Sequence, residues 1–228
     1  MPLKLITSGG GSVILDANTT ASNYTMYVPA ENGSLLSSSS SLNASAVSVG
    51  TLSSDRLPTI PRAKIPAGAI LQVVSTTKTS TTSIGVGANQ WNEFDGAFRV
   101  TIVPTTSSNK ILISAWISGA QNTGTVRYKF QYTADNGSNW YDVTPIGDAV
   151  SNHSRGHFGY GTNGDTNQVT TTGMEILHSP GTTNSLIYRI LFGQDVATTY
   201  HFNRSIGYPD NFLGGTYASS ILAKEIAV

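Results

Sequence analysis

The 228-residue chain is long enough for one ordinary domain with an appendage, or for two small ones. Its 13 basic and 13 acidic residues cancel, and charged residues make up only 11%, against roughly 25% in a typical soluble domain. That balance excludes an electrostatic footprint for nucleic acid or an anionic membrane, and the absence of cysteine excludes disulfides, thiol chemistry and cysteine-based zinc sites.

In chain order, MPLKLITSGGGSV has no continuous apolar h-region, and no stretch approaches ~20 apolar residues. Neither a secretory signal nor membrane insertion is therefore expected. Residues 3 to 36 predict a few short strands: VIL at Val13 to Leu15 follows a triple glycine, and Tyr24, Met26 and Val28 alternate with polar neighbours. Strands this short bury too little apolar surface to stand alone, so residues 1–36 form a module that needs partners.

Residues 37–68 begin with five serines and carry apolar residues singly, at Leu42, Val47, Val49, Leu52, Leu57, Ile60 and Ile65. Pro58, Pro61 and Pro66 remove amide donors and favour extended neighbours. Fully stretched, the segment reaches on the order of 100 Å. Two readings remain open: a disordered tether, or an ordered neck in which three copies run side by side and bury Leu52, Leu57, Ile60 and Ile65 against one another.

From Ala69 onward, strand signals are separated by turns: AILQVVS, GAFRVTIVP, NKILISAWIS, TVRYKFQYT, VTTTGMEILH, NSLIYRILF, YHFNRSIG and SSILAKEIAV. Val126, Tyr128, Phe130 and Tyr132 alternate with Arg127, Lys129, Gln131 and Thr133, which gives one buried and one wet face. ILISAWI and LIYRILF are apolar at nearly every position, as in strands covered on both faces by a second sheet or another subunit. The expected fold is all-β: a small N-terminal β module (1–36), an extended neck (37–68) and a C-terminal jelly-roll-like β-sandwich head (69–228).

LNASAVSVGTLSSDRLP resembles the N-A-S…G-T-(L/V)-x-x-x-R-L-P segments of tail fibres and related adhesins of tailed bacteriophages. The opening LKLITSGGGSVILDANTTASNYTMYVPAENGSLLS is similar to short N-terminal modules of virion proteins from cyanobacterial and marine phages. VTIVPTTSSNKILISAWIS and the closing ILAKEIAV resemble the C-terminal β-domains of the same class. The resemblance implies a homotrimer in the virion, attached to other virion proteins through its N-terminal module, with a distal head. A short tail fibre or spike would bind a host-surface glycan or protein. A trimeric capsid decoration protein or a polysaccharide-degrading tailspike are the alternatives.

Catalytic signals are thin, and no enzyme activity is expected. Ser75-Thr76-Thr77-Lys78 has the Ser-x-x-Lys spacing without its helix, and Gly156-x-x-Gly159-x-Gly161 has no strand-to-helix context and reads as loop. His153 and His157 are four apart between glycines that disfavour helix, so no metal site or cofactor is expected; a histidine on a trimer axis would be the exception. The scattered aspartates read as turn residues. Aromatic residues among small polar ones point instead to glycan stacking: Trp140, Tyr141 and Asp142; then His153, Arg155, His157 and Tyr160; then Tyr208. The competing reading places Trp140 in the core. Lys224 and Glu225, charges within the last apolar strand, suit intersubunit pairing, or Lys224 reaches solvent from an edge.

Overall fold

The computed structural model describes residues 3–6, 9, 12–15, 64–161, 168–207 and 215–228. The chain divides into two compact units, Met1–Pro58 and Thr59–Val228. In the first, β1 (Leu3–Ile6) and β2 (Ser12–Leu15) pair antiparallel, with Leu3 opposite Leu15. Leu52, Leu57 and Ile60 lie outside the described residues, as does the Tyr24–Val28 strand expected from alternation.

The second unit is all-β, and no α-helix occurs among the described residues. Lys64–Gly68 enters through a turn in which Gly68 takes φ +87° and Ala69 N–H donates to Pro66 O. This end of the expected neck bends before the first strand, and Ile65 is half-buried there. The strands are β3 (Ile70–Lys78), β4 (Thr82–Val86), β5 (Trp91–Glu93), β6 (Arg99–Ile102), β7 (Lys110–Ala120), β8 (Thr125–Thr133), β9 (Tyr141–Asp142), β10 (Phe158–Gly161), β11 (Thr170–His178), β12 (Leu186–Gln194), β13 (Thr198–Phe202) and β14 (Ser219–Ile226).

They form two six-stranded sheets. In the first, β7 carries β14 along one edge and β11 along the other, because residues 111–116 pair with both. With β3 on β14, the main path is β3-β14-β7-β11; β13 meets the end of β7 and continues to β4. In the second sheet, β12 has β8 on one edge and β6 and β5 end to end on the other. β8 in turn carries β10 and β9, so the main path is β6-β12-β8-β10.

Alternation decides the inner faces. Val126, Tyr128 and Phe130 of β8 are fully buried, whereas Arg127, Lys129 and Gln131 point outward. Ile111, Ile113, Ala115 and Ile117 of β7 face them from the first sheet. Phe94 joins the layers: its ring stacks on Phe192 of β12 at 4.5 Å and on Phe202 of β13 at 4.6 Å. The Tyr128 and Tyr200 hydroxyls meet across the core at 2.8 Å, and burial pushes both phenol pKa values well up. Gly119 makes room for this pair, since a Cβ there would fall on the Tyr200 ring.

Two expectations change. Phe158–Gly161 is a strand, not loop: Gly156 and Gly159 let this segment lie against β8, where added Cβ atoms would reach Tyr128 O at 3.2 Å and Val126 O at 2.8 Å. Glu225 is satisfied within its own chain rather than by another subunit. It is fully buried and accepts from Thr105 N–H (2.7 Å) and Oγ1 (2.6 Å), Asn109 Nδ2 (2.5 Å) and Gln72 Nε2 (2.6 Å). Burial alone would raise its pKa, but these donors outweigh it and hold the carboxyl below its usual range.

Candidate functional site

The outer face of the second sheet is a continuous polar belt. Arg99 grips Glu93 through Nε (2.6 Å) and Nη2 (2.8 Å), and Arg189 Nη1 reaches the same carboxylate at 3.1 Å. Arg189 also donates to Gln131 Oε1, at 3.1 and 2.7 Å. Gln131 donates to Asp142 (2.8 Å), and Asp142 pairs with Lys129 at 2.9 Å. This is where Trp140 and Asp142 belong: Arg189 lies 3.8 Å from the centroid of the Trp140 ring and Arg99 at 5.0 Å. Trp140 is thus half-buried beneath guanidinium groups rather than in the inter-sheet core or open as a stacking platform. Tyr141 remains exposed, its ring 5.8 Å from Tyr132.

The loop from Thr144 to His157 is pinned at its end by a histidine. His157 Nδ1 accepts from Phe130 N–H at 3.2 Å, so Nε2 carries the proton and donates to Val143 O at 3.0 Å. Burial holds its pKa below the ordinary value. Arg155 Nε donates to Gly147 O at 2.5 Å, which closes the loop on itself. Tyr160 points inward, its ring 6.2 Å from Tyr128. Tyr208 lies outside the described residues.

Between that loop and the β4–β5 turn opens a cleft of about 430 Å³ lined by Asn89, Arg127, Asn152, His153 and Ser154. It adjoins a narrow crevice that shares Asn89, Arg127 and Ser154 and reaches Gln90, Trp91 and Gly193. Local geometry explains both walls. Asn89 turns the chain in the left-handed region, at φ 58°, and its N–H donates to Gln194 O at 2.7 Å. Gly193 lets the Trp91 ring lie across the sheet, 3.1 Å from where a Cβ would stand, and Lys129 Nζ sits 4.7 Å from the ring centroid. Arg127 stands opposite Gly193 in the β8–β12 register. Its guanidinium donates no hydrogen bond to a described residue, while its charge helps keep the Asp195 carboxyl low, after the stronger effect of Thr125 N–H.

Amides, a hydroxyl, an imidazole and a guanidinium without a hydrogen bond to a described residue suit a polyhydroxylated ligand, because each hydroxyl finds a donor or an acceptor. Of the residues singled out from sequence, His153 lines this cleft, with its neighbours Asn152 and Ser154. Asn89, Trp91 and Arg127 were missed. The Gly-Ala-Asn-Gln-Trp run at 87–91, a turn signal against an aromatic, was the available cue.

Other sequence signals resolve structurally. Lys78 of Ser75-x-x-Lys78 pairs with Asp95 at 2.6 Å. His178 is buried, with Nδ1 2.8 Å from Tyr188 Oη, and burial lowers its pKa to about 4. His201 contacts Arg204 Nη2 through Nδ1 at 3.0 Å. No group of three or more metal-ligating side chains occurs among the described residues.

No known family matches the chain, and no curated protein does. Among solved structures, "Structure of infectious bursal disease virus Gx strain" aligns at 12% identity and a TM-score of 0.31, over 70% of this chain and 39% of that one. The chain thus spans well under half the length of that viral neighbour.

Proposed function

We propose that this chain is a bacteriophage virion structural protein, a short tail-fibre or spike-type homotrimer whose sandwich head adheres to host-surface glycan. The cleft at Arg127 carries the adhesion part of the reading: its one cation makes no hydrogen bond to a described residue, and the rest of its lining is two amides, a hydroxyl and an imidazole. In this reading residues 1–36 attach to other virion proteins and residues 37–68 form the neck. Sharing three such clefts among three protomers turns weak sites into firm attachment through effective concentration.

The head is further read as a jelly roll. Along the chain, β3, β6, β7, β8, β10, β11, β12 and β14 fall in sheets one, two, one, two, two, one, two and one. Packing β3-β14-β7-β11 on β6-β12-β8-β10 with that order supports two Greek keys folded over each other.

The test is binding of the purified full chain to susceptible cells and to arrayed bacterial polysaccharides. Saturable binding, weakened at least about tenfold by Arg127→Ala, is expected for a site whose cation meets a ligand oxygen. No binding at saturating protein would overturn adhesion in favour of capsid decoration, which immunogold labelling of the shell would then reveal. Release of reducing sugar ends would move the protein to the tailspike class.

A further inference from the structure

The outer face of the first sheet is built differently from the polar belt on the second. Register places Val73, Lys224, Leu112 and Leu177 in one row across β3, β14, β7 and β11. Leu222 lies one row away on the same face, and Ile70 and Ile226 one row on the other side. Val73 is 53% exposed, Ile70 55% and Leu177 43%. Trp116, 47% exposed, leans over Gly173 toward the β11 edge, its Nε1 3.2 Å from where a Gly173 Cβ would stand. The Leu222 row is otherwise polar, with Ser75, Ser114 and Glu175, so the apolar surface is the Val73–Leu177 row with Ile70, Ile226 and Leu222 beside it; on a sandwich whose other face is polar it marks an interaction surface.

Its charges are three: Lys110, opposite Ile226 on β7, with Lys224 and Glu175. Lys224 sits between Val73 and Leu112 and makes no hydrogen bond or ion pair with a described residue. Glu175, toward the β11 edge, accepts only from Ser114 Oγ, at 2.6 Å, among the described residues. The face thus carries two cations, on β14 and β7, and an anion on the outer strand β11. A closed three-fold ring joins two different patches of each protomer, so a face polarised in this way can meet its own copy with opposite charges opposed. Width points the same way. From β3 to β11 is three strand spacings, about 14 Å, broader than one extended segment of chain covers and suited to another sandwich.

We propose that the outer face of β3-β14-β7-β11 is the surface through which copies of this chain associate, the β3 side of one against the β11 side of the next, with Lys224 set against Glu175 of the neighbouring copy. This rests on the homotrimer reading and gives it a second contact, independent of the neck. Val73, Leu112 and Leu177 then lose their exposure to water on assembly, and the Lys224 ammonium gains a counter-ion.

Sedimentation velocity of the full chain over a dilution series tests it, with circular dichroism melting as the folding control. The wild type is expected as a trimer. Val73→Asp with Leu177→Asp raises the concentration at which it dissociates at least about tenfold. Lys224→Glu weakens assembly and Lys224→Glu with Glu175→Lys restores it, which carries the test even where the aspartate pair harms folding. A wild-type trimer indifferent to the aspartate pair and to the charge exchange overturns this interface and leaves the homotrimer standing. If Leu57→Asp with Ile60→Asp then dissolves that trimer, assembly belongs to the neck. A monomeric wild type overturns both readings.

Discussion

On the outer face of the second sheet, Glu93 takes both Arg99 and Arg189, and Asp142 takes Lys129 and Gln131. On the outer face of the first, Lys224 stands between Val73 and Leu112 without a counter-ion among the described residues. The same alternating strands produce both surfaces; what differs is whether each outward side chain has a partner in its own chain. A face whose charges close on one another gains little from further contact. One that leaves half-exposed aliphatics and an unpaired ammonium gains from every apolar atom covered, at roughly 25 cal/mol per Å².

The first sheet keeps its polar anchoring on the inside, at Glu225, and removing it should have the largest effect. Glu225→Ala strands Asn109, Gln72 and Thr105 donors in the interior and is expected to lower unfolding free energy by about 3 kcal/mol in urea titration, with Glu225→Gln recovering part. On the second sheet, Arg189→Met removes contacts to Glu93 and Gln131 and the cover over Trp140, for a loss of about 1–2 kcal/mol. Lys224→Met on the first sheet should change the monomer by less than about 0.5 kcal/mol. Equal effects of Arg189→Met and Lys224→Met would erase the contrast between the faces.

A pH dependence is expected as well. His178 has its folded pKa lowered to about 4 from an ordinary 6.5, so the unfolded chain binds its proton first as pH falls. Stability from this group is full above about pH 6.5 and is lost progressively toward pH 4. Between pH 6.5 and about 5.5 the carboxylates held low in the fold, such as Glu225, stay largely ionised in both states. The fall in melting temperature over that window is therefore expected to come from the buried histidines, and to shrink in His178→Asn. An unchanged slope in that variant would assign it to His157 or His201, whose pKa values are lowered in the same direction.

Much of the sandwich was legible because strand period is local. All eight segments anticipated after Ala69 overlap strands, and the split of β8 into buried Tyr128 and Phe130 against outward Arg127 and Lys129 follows from alternation alone. The short strands β4, β5, β9 and β10 were not anticipated. Two to five residues carry little periodic signal, and Gly159 and Gly161 in β10 look like turn residues until β8 is beside them. The candidate site was less legible. Trp140 and Trp91 are both aromatic residues near turns in the sequence, yet one lies beneath Arg189 and the other lines a narrow crevice beneath Lys129.

By itself, the sequence determined an all-β chain with a neutral surface, and it determined the facing of its longer strands, because composition and a two-residue period are properties of the chain before it folds. Tertiary structure decided which outward side chains found partners. Glu225 looked like a surface charge until Thr105, Asn109 and Gln72 converged on it from other elements. Arg127 and Lys224 remained uncommitted because no carboxylate was brought within bonding distance of either among the described residues. Such convergence depends on distances between segments far apart in sequence, and no local pattern encodes them.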